Sequence, residues 1–203
     1  MGKEIIIVTA NRDKEEEIKA ILKDLDIKFI PMFFFSDYPV TIEDGQTLEE
    51  NASKKARESA MYFKSWTIAD DSGLEVDYLK GKPGVYSSRY AGEKCSYKDN
   101  NNKLLEVLKD VPKEKRTAKF KTVIALSSPD GKVSLLDGEI FGTIGTRMVG
   151  NNGFGYDPVF YVSEYGKTLA ELDSELKNLI SHRAKALLKA KEFIKKLLNS
   201  IGK

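Results

Sequence analysis

Thr67-Ile68-Ala69-Asp70-Asp71-Ser72-Gly73 joins a short apolar run to two adjacent carboxylates. An apolar run of this length followed by Ser and Gly predicts a buried strand that ends in a turn. Neighbouring acids repel each other, so a site that keeps both ionised needs a compensating positive charge. Mg²⁺ held by one or two carboxylates and substrate phosphates is a common solution. The alternative is a solvated acidic turn, and the doublet alone does not decide between the two.

Length and composition limit the class of protein. The chain has 203 residues, enough for one well-buried domain, with two lobes possible. Lys and Arg total 33 and Asp and Glu total 31, a net charge of +2, which argues against a dedicated nucleic-acid or membrane-surface protein. Cys95 is the single cysteine, so an intramolecular disulfide is excluded and an intracellular setting is favoured. No apolar run is long enough to span a bilayer, so we expect one cytoplasmic domain over residues 1–203.

Hydrophobic patterns on both sides of the doublet predict strands and helices in mixed order. Thr47 and Glu50 form a capping box that starts a helix running to about Lys64. Pro129-Asp130-Gly131 separates two alternating runs and is the strongest hairpin signal in the chain. This hairpin breaks a strict alternation of strand and helix, which favours an α/β fold with a mixed central sheet flanked by helices.

The remaining predicted elements follow from the same patterns. A long loop from Ser36 to Gln46 precedes the Thr47 helix. The other predicted helices begin at Asn11, cover Asp99 to Lys109, and begin after Ser181. The predicted strands are Glu4 to Thr9, Ile27 to Phe35, Leu74 to Leu79, Ala118 to Ser127, Lys132 to Phe141, Ile144 to Val149 and Val159 to Val162, with a further capping box at Thr168 to Glu171.

The junction of the first strand and first helix is a candidate phosphate site. Its sequence is Thr9-Ala10-Asn11-Arg12-Asp13-Lys14. A helix N-terminus presents unpaired N–H groups and a partial positive charge, and Lys14 adds a point charge beside them. The segment lacks the Gly-Lys-Ser/Thr of a Walker loop. An Asn cap with a solvated Lys is an equally good interpretation of this segment alone, and Asp13 is an awkward neighbour for an anion.

A glycine-rich segment is a candidate base-binding loop. It reads Gly150-Asn151-Asn152-Gly153-Phe154-Gly155-Tyr156-Asp157-Pro158. Its glycines let the backbone approach a ligand closely, and Phe154 and Tyr156 offer ring faces on which a base could stack. Asp157 could accept a hydrogen bond from a ring N–H. The alternative is a tight surface loop pinned by buried aromatic side chains.

Two further groups of polar residues could contribute to a site. His182, the single histidine, and Arg183 open the last predicted helix, with Lys177 just upstream. A lone His is usually a packed or surface side chain, and one His with one remote Cys excludes a zinc site. Asn51 and Lys55 lie four residues apart on the Thr47 helix and therefore share one face.

Glu43 precedes this helix and becomes a candidate ligand only together with Asp71. If the fold brings the two carboxylates together, they could jointly hold Mg²⁺. By itself Glu43 is an ordinary loop acid.

These motifs occur in one order along the chain. They are Thr9-x-Asn11-x-x-Lys14, Ala69-Asp70-Asp71-Ser72-Gly73-Leu74, Gly153-Phe154-Gly155-Tyr156-Asp157-Pro158 and Ser181-His182-Arg183, accompanied by Gly81-x-Pro83-Gly84-Val85-Tyr86-Ser87 and by the helix from Glu50-Asn51-Ala52 to Lys55-Ala56. The set resembles the inosine triphosphate pyrophosphatase family, the non-canonical purine nucleoside triphosphate pyrophosphatases that cleanse nucleotide pools. The resemblance extends over essentially the whole chain.

The resemblance implies a fold, an activity and an assembly. The implied fold has an elongated central mixed sheet and two lobes with an active-site cleft between them. The implied activity is Mg²⁺-dependent hydrolysis of ITP, dITP and XTP to the monophosphate and pyrophosphate. The implied assembly is a homodimer, and neither nucleic acid nor a membrane is expected as a partner.

The resemblance also implies roles for individual residues. Asp71 or Asp70 should orient or deprotonate the attacking water, and Glu43 and Asp71 should serve the metal. Lys55, a catalytic candidate, and the segment Thr9 to Lys14 should meet the triphosphate. The residues expected to bind substrate are Thr9, Ala10, Asn11, Arg12, Asp13, Lys14, Asn51, Ser72, Phe154, Gly155, Tyr156, Asp157, Lys177, His182 and Arg183. Asp13 stands where family members often have Gly, and Glu43 is assigned only by its distance before Asn51.

Two other functions compete with this hypothesis. A phosphohydrolase with Asp70 or Asp71 as covalent nucleophile would form an aspartyl-phosphate, although the Asp-x-Asp spacing is missing. A nucleotide sensor would bind the same ligand without turnover. The sequence does not show how guanine, which also carries a 6-keto group, is rejected.

Overall fold

The computed structural model describes residues 4–35 and 37–201. Ser36, where the predicted loop to Gln46 begins, lies outside the described residues. Within them the helices are α1 (Arg12–Leu22), α2 (Leu48–Phe63), α3 (Tyr97–Val107), α4 (Ser174–Ile180) and α5 (His182–Ile201). The strands are β1 (Glu4–Val8), β2 (Lys28–Pro31), β3 (Trp66–Val76), β4 (Pro83–Gly84), β5 (Thr117–Ser127), β6 (Val133–Ile144), β7 (Phe160–Val162) and β8 (Lys167–Thr168).

The strands form one mixed sheet, as the sequence predicts. Its order is β2-β1-β3-β5-β6-β7-β8, with β4 paired to β3. β1 pairs in parallel with β2 and β3, whereas the β3–β4, β6–β7 and β7–β8 pairs are antiparallel. The combination of parallel and antiparallel pairs with flanking helices makes this an α/β fold.

The first of two compact units contains the parallel strands. It comprises the described residues of Met1–Asp71, Thr122–Gly138 and His182–Lys203. Its core packs β1 against α1 and α5, with Ile5, Leu22 and Leu187 wholly buried. Because the parallel strand β1 is buried on both faces, it reads as an unbroken apolar run rather than an alternating one.

The second unit has its own core. It comprises Ser72–Lys121 and Glu139–Ser181. Leu74 of β3 and Leu104 of α3 are wholly buried there, and the rings of Phe120 and Phe160 lie 4.7 Å apart. β3, β5 and β6 each contribute residues to both units, so the chain passes between units inside a strand.

Most predicted elements are confirmed, and the departures have physical reasons. Thr47 caps α2 in a complete capping box, and Lys64 ends it in the left-handed conformation. The predicted strand Ile27 to Phe35 is wrong beyond Pro31, because proline has no N–H to continue the ladder and the chain turns into a 3-10 helix at Met32–Phe34. The strand predicted at Ile144 to Val149 is also wrong, since β6 ends at Ile144.

The largest correction concerns the acidic doublet. We expected a strand ending at Asp70 and Asp71 and a separate run at Leu74 to Leu79. Instead β3 continues from Trp66 through both carboxylates to Val76. Gly73 permits this continuation, because a Cβ there would lie 2.6 Å from the carbonyl oxygen of Gly84 on the paired strand. The doublet is therefore in the middle of a buried strand and not in a solvated turn.

Among residues 4–35 and 37–201, none of the helices combines the length and the apolar composition needed to cross a bilayer.

Candidate active site

The N-terminus of α1 is organised by its cap. The Oδ1 atom of Asn11 accepts hydrogen bonds from the backbone N–H groups of Asp13 (2.9 Å) and Lys14 (3.4 Å). The backbone N–H of Asn11 donates to the hydroxyl of Thr9 at 3.2 Å. The side chain of Asn11 thus serves as a helix cap, and this fixes the direction in which α1 leaves β1.

Neighbouring residues of this segment are more open. Ala10, Arg12 and Asp13 are exposed, and the Arg12 guanidinium lies 5.5 Å from the ring centroid of Phe33. A cation at that distance is attracted by the ring face.

Asp70 lies in a group of charges that we call the charge cluster: Lys14, Glu17, Asp70 and Arg183. The Asp70 side chain is wholly buried, with Oδ2 at 3.1 Å from the Lys14 ammonium and 3.2 Å from both Nε and Nη2 of Arg183. Arg183 also donates through Nη1 to Glu17 at 2.5 Å. Two cations and two carboxylates from α1, β3 and α5 therefore pair with one another, with Asp70 and Arg183 buried and Lys14 and Glu17 partly open.

The surroundings of Asp70 fix its ionisation. Burial alone raises the pKa of this carboxyl, but the charges of Lys14 and Arg183 outweigh burial and hold the pKa well below its usual range. Burial likewise lowers the pKa of Arg183, while Glu17 and Asp70 more than reverse that effect and raise it. Asp70 is consequently ionised at neutral pH.

Asp71 has different partners from its neighbour, because successive side chains of a strand point to opposite faces. Its Oδ2 accepts a hydrogen bond from the side-chain amide of Asn51 at 3.1 Å. Its Oδ1 lies 4.0 Å from the ammonium of Lys55. Asn51 and Lys55 are one turn apart on α2, which confirms that they share a face.

Lys55 joins several acceptors around the doublet. Its ammonium donates to the carbonyl oxygen of Asp70 at 2.6 Å and to Oε1 of Glu43 at 3.1 Å. Burial lowers the pKa of Lys55, but Asp71, Glu43 and Asp70 together raise it above its ordinary value. Lys55 is therefore a permanent cation placed between the two carboxylates of Glu43 and Asp71.

The pKa of Asp71 moves in the direction opposite to that of Asp70. Burial raises it, and the attraction of Lys55 and Lys14 only partly offsets that effect. Two adjacent carboxylates whose pKa values are pushed apart mark a division of roles. Asp70 is the fixed anion, and Asp71 is the group better suited to exchange a proton.

The donors around Asp71 suit a hard cation. Glu43 and Asp71 both lie within 4.0 Å of the same ammonium, and carboxylate oxygens are the ligands that Mg²⁺ prefers. Within the ranges that the structure describes, no group of three or more His, Cys, Asp or Glu side chains could hold a metal ion. A cation at this pair would thus need to complete its coordination with water or with substrate oxygens.

The glycine-rich loop in the second unit is ordered by Asp157. Oδ2 of this buried carboxylate accepts a hydrogen bond from the backbone N–H of Phe154 at 3.0 Å. It also forms an ion pair with the Lys177 ammonium at 2.6 Å. The Lys177 ammonium lies 4.7 Å from the centroid of the Phe154 ring, which is half-buried. Gly153, at φ +70°, leaves room for this arrangement, because a Cβ there would lie 2.1 Å from Oδ2.

Tyr156 has a structural place in this loop. Its side chain is buried, and its hydroxyl donates to the carbonyl oxygen of Ser87 at 2.8 Å. Ser87 in turn accepts from the backbone N–H of Leu74 and donates to Gly84, so the hydroxyl of Tyr156 joins the loop to the segment after β4. The expectation that Tyr156 offers a ring face does not fit this burial, whereas Phe154 keeps part of its ring open.

Three further residues expected to bind substrate lie at the start of α5 and directly after the acidic doublet. His182 and Arg183 are buried at the start of α5, and Ser72 is half-buried directly after the doublet. Arg183 holds Asp70 and Glu17, and its expected part in substrate binding stays a prediction, as do those of His182 and Ser72.

Glu17 was missed by the sequence reasoning. It lies one helical turn after Lys14, and this spacing of three residues was the available signal.

Comparison with known proteins places this architecture in a family. The model of the Ham1 family matches residues 5–193. A dITP/XTP pyrophosphatase of Geobacter sulfurreducens is 50% identical over 190 residues, covering 94% of this chain and 96% of the relative. One from a Thermoanaerobacter species is 51% identical over 194 residues, covering 96% and 98%.

Solved structures agree with the sequence comparison. A HAM1 protein from Coxiella burnetii superposes with a TM-score of 0.88 at 41% identity, covering 95% of this chain and 98% of the other. A nucleoside-triphosphatase / dITP/XTP pyrophosphatase from Mycobacterium abscessus gives a TM-score of 0.76 at 36% identity, covering 92% and 98%.

Proposed function

This chain belongs to the Ham1 family, and we propose that it is a nucleoside triphosphate pyrophosphatase acting on non-canonical purine nucleotides. The products would be the nucleoside monophosphate and pyrophosphate. The observation that carries the proposal is the pair of adjacent acids with separate partners, Asp70 against Lys14 and Arg183 and Asp71 against Asn51 and Lys55. Relatives at 50% and 51% identity named dITP/XTP pyrophosphatases support the substrate class.

Positive charge in the first unit would bind the triphosphate. Lys14 and Lys55 supply two ammonium groups, and Lys14 lies in the first turn of α1, at the positive end of the helix dipole. Such preorganised donors stabilise the charge that builds up on the phosphate oxygens during attack. Lys55 is suited to this role because its hydrogen bond to the carbonyl oxygen of Asp70 fixes the ammonium relative to β3.

The Mg²⁺ dependence that the sequence resemblance implies would place a Mg²⁺ ion at Glu43 and Asp71. When bound, the ion supplies further neutralisation of the phosphates and of the departing pyrophosphate. The donor set fits, since Glu43 and Asp71 each place a carboxylate oxygen within 4.0 Å of the Lys55 ammonium and carboxylate oxygens are the ligands that Mg²⁺ prefers.

Asp71 would act as the general base. Its carboxylate accepts a proton from a water molecule as the water oxygen attacks the α-phosphorus in line. The bond between the α-phosphorus and the bridging oxygen breaks, and pyrophosphate leaves. Asn51 orients Asp71 by donating to Oδ2, which leaves Oδ1 available for the water.

The glycine-rich loop would bind the base. The half-buried ring of Phe154 offers a stacking surface, and its backbone N–H is held by Asp157. The Lys177 ammonium beside that ring is a donor suited to a purine carbonyl oxygen. A site built around such a donor penalises adenine, which presents an amino group where the 6-keto group would be.

One assay separates this proposal from its two competitors. Pyrophosphate release is measured from dITP, XTP, ITP, GTP and ATP, with and without Mg²⁺. We expect Mg²⁺-dependent release from dITP, XTP and ITP and much slower release from ATP. Equal rates on ITP and ATP would falsify purine selection, binding without release would support a sensor, and a trapped aspartyl-phosphate would support covalent attack.

The resemblance also extends the proposal to assembly and location. We expect a homodimer in the cytoplasm, and sedimentation at a mass twice that of the chain is the measurement that checks the dimer.

A further inference from the structure

A single buried amide connects α3 to the glycine-rich loop. Asn101, on α3, is 2% exposed, and its Nδ2 group donates to the carbonyl oxygen of Gly155 at 2.8 Å and to that of Tyr97 at 2.9 Å. Gly155 adjoins Phe154, the residue proposed to stack on the base. The side chain therefore crosses from the helix to the backbone next to the stacking ring.

The other end of this amide is unsatisfied. Oδ1 of Asn101 is buried and has no hydrogen-bond partner among residues 4–35 and 37–201. A buried acceptor without a partner costs stability, and an apolar side chain of similar shape would avoid that cost. The cost of the unpartnered oxygen would favour an apolar residue at this position. The asparagine is explained by the two hydrogen bonds that its Nδ2 group donates.

Gly155 is half-buried in the loop. It adopts φ +62°, and a Cβ at this position would meet no atom of the described residues within 4 Å. The hydrogen bond from Asn101 directly restrains its carbonyl oxygen.

A second contact links the same helix turn to the stacking ring. The ring centroid of Tyr97, the first residue of α3, lies 6.0 Å from that of Phe154, with the planes tilted by 40°. Aromatic rings at this separation attract each other. The first turn of α3 thus touches both the backbone and the side chain of the base-binding segment.

We propose that Asn101 is a positioning residue for base binding, which fixes the Phe154 ring through the carbonyl oxygen of Gly155. The inference rests on the proposed function and names a determinant of base affinity and selectivity in it. Asn101 itself does not touch the reacting atoms. Its loss should weaken base binding and leave the phosphate chemistry unchanged.

The first test is the pair Asn101→Leu and Asn102→Leu. Asn102 is exposed on the same helix and is the matched control. For Asn101→Leu we expect the KM for ITP to rise about three- to tenfold, the scale of one lost hydrogen bond, with kcat changed less than about twofold. The ratio of kcat/KM for ITP to that for ATP should fall by a similar factor. An unchanged KM and ratio in a folded Asn101→Leu protein would overturn the proposal.

The second measurement needs no turnover. Hydrogen exchange of the amides in residues 153–157 should accelerate in Asn101→Leu and stay unchanged in Asn102→Leu. If Asn101→Leu does not fold, Asn101→Asp keeps the shape and replaces the donor, and it should give the same acceleration. A wild-type protein inactive on all nucleotides would defeat the proposed function, while unchanged exchange in both Asn101 variants would defeat the positioning role.

Discussion

The charge cluster and the glycine-rich loop are built in opposite ways. Lys14, Glu17, Asp70 and Arg183 come from three distant segments and are held by one another's charges. The loop is held mainly by individual hydrogen bonds, among them those that Asp157 accepts from the Phe154 backbone and from Lys177 and the one that Gly155 accepts from Asn101. Removing one member of a cluster of paired charges leaves its partners uncompensated, whereas removing one hydrogen bond of the loop costs only about 0.5–1.5 kcal/mol.

The two regions should therefore respond differently to substitution. Changes around the acidic doublet should affect turnover or folding. Changes in the loop should affect affinity for the base. The predictions below test this difference, starting with the largest expected effect.

Asp71→Asn should reduce turnover by about 10²- to 10⁴-fold, the range for loss of a general base. The amide cannot accept the proton of the attacking water, while its shape lets the side chain stay beside Asn51. The measurement is pyrophosphate release from ITP under saturating Mg²⁺, with circular dichroism to verify the fold. Asp44→Asn, an exposed carboxylate paired with Lys54, is the control and should keep its activity. Near-normal activity of Asp71→Asn would remove Asp71 from both the metal and the base role.

Arg183→Leu should destabilise the protein by about 3–5 kcal/mol, because it removes a cation that pairs directly with the wholly buried Asp70 carboxylate. The measurement is the free energy of unfolding in urea. Lys189→Leu removes a cation from the same helix, where it forms an exposed pair with Asp137, and should change stability little. Similar losses in the two variants would show that the charge cluster does not act as a unit.

Phe154→Leu should raise the KM for ITP by about 5- to 100-fold, since stacking of a base on an aromatic ring contributes about 1–3 kcal/mol. The free energy of unfolding should change much less than in Arg183→Leu, because the Phe154 ring is only half-buried. Steady-state kinetics check the first expectation and urea unfolding the second. Phe141→Leu, at a highly exposed ring in the same unit, is the control. An unchanged KM would mean that the base does not stack on Phe154.

Tyr156→Phe should cost about 1 kcal/mol of stability at neutral pH through the lost hydrogen bond to Ser87. Burial raises the pKa of Tyr156 above its ordinary value of 10.0, so the folded protein keeps a proton that the unfolded chain releases. The contribution of Tyr156 is thus complete below pH 10.0 and is lost as the pH rises towards the raised pKa. The stability difference between wild type and Tyr156→Phe should shrink above pH 10.0 in urea unfolding. Tyr78→Phe, at an exposed ring, is the control for the loss of a tyrosine hydroxyl at neutral pH and should change stability little.

Local signals in the sequence were enough to predict much of the fold. The Thr47 capping box, the Asn11 cap and the Pro129-Asp130-Gly131 turn all rest on residues within a few positions of one another. They could be read because helix caps and tight turns are determined locally. The continuation of β3 through Asp70 and Asp71 could not be read in this way, since it depends on cations supplied by α1, α2 and α5.

The candidate site was predictable as a set of residue types but not as a set of contacts. The motifs indicated that Lys14, Lys55 and the doublet belong together. They did not indicate that Arg183 pairs with both Glu17 and Asp70, or that the Tyr156 hydroxyl donates a hydrogen bond to the carbonyl oxygen of Ser87. Those contacts join residues far apart in the chain, and a single sequence carries no direct record of such distances.

The doublet lies inside β3, and this position constrains the number of residues in the strand. Because side chains alternate along a strand, losing or adding one residue between Trp66 and Asp70 would turn each acid towards the other's partners. Asp71 would then face the side of Lys14 and Arg183, and Asp70 would face α2 with Asn51 and Lys55. The pairing of each acid with its own partners therefore depends on the number of residues in β3 that precede the doublet.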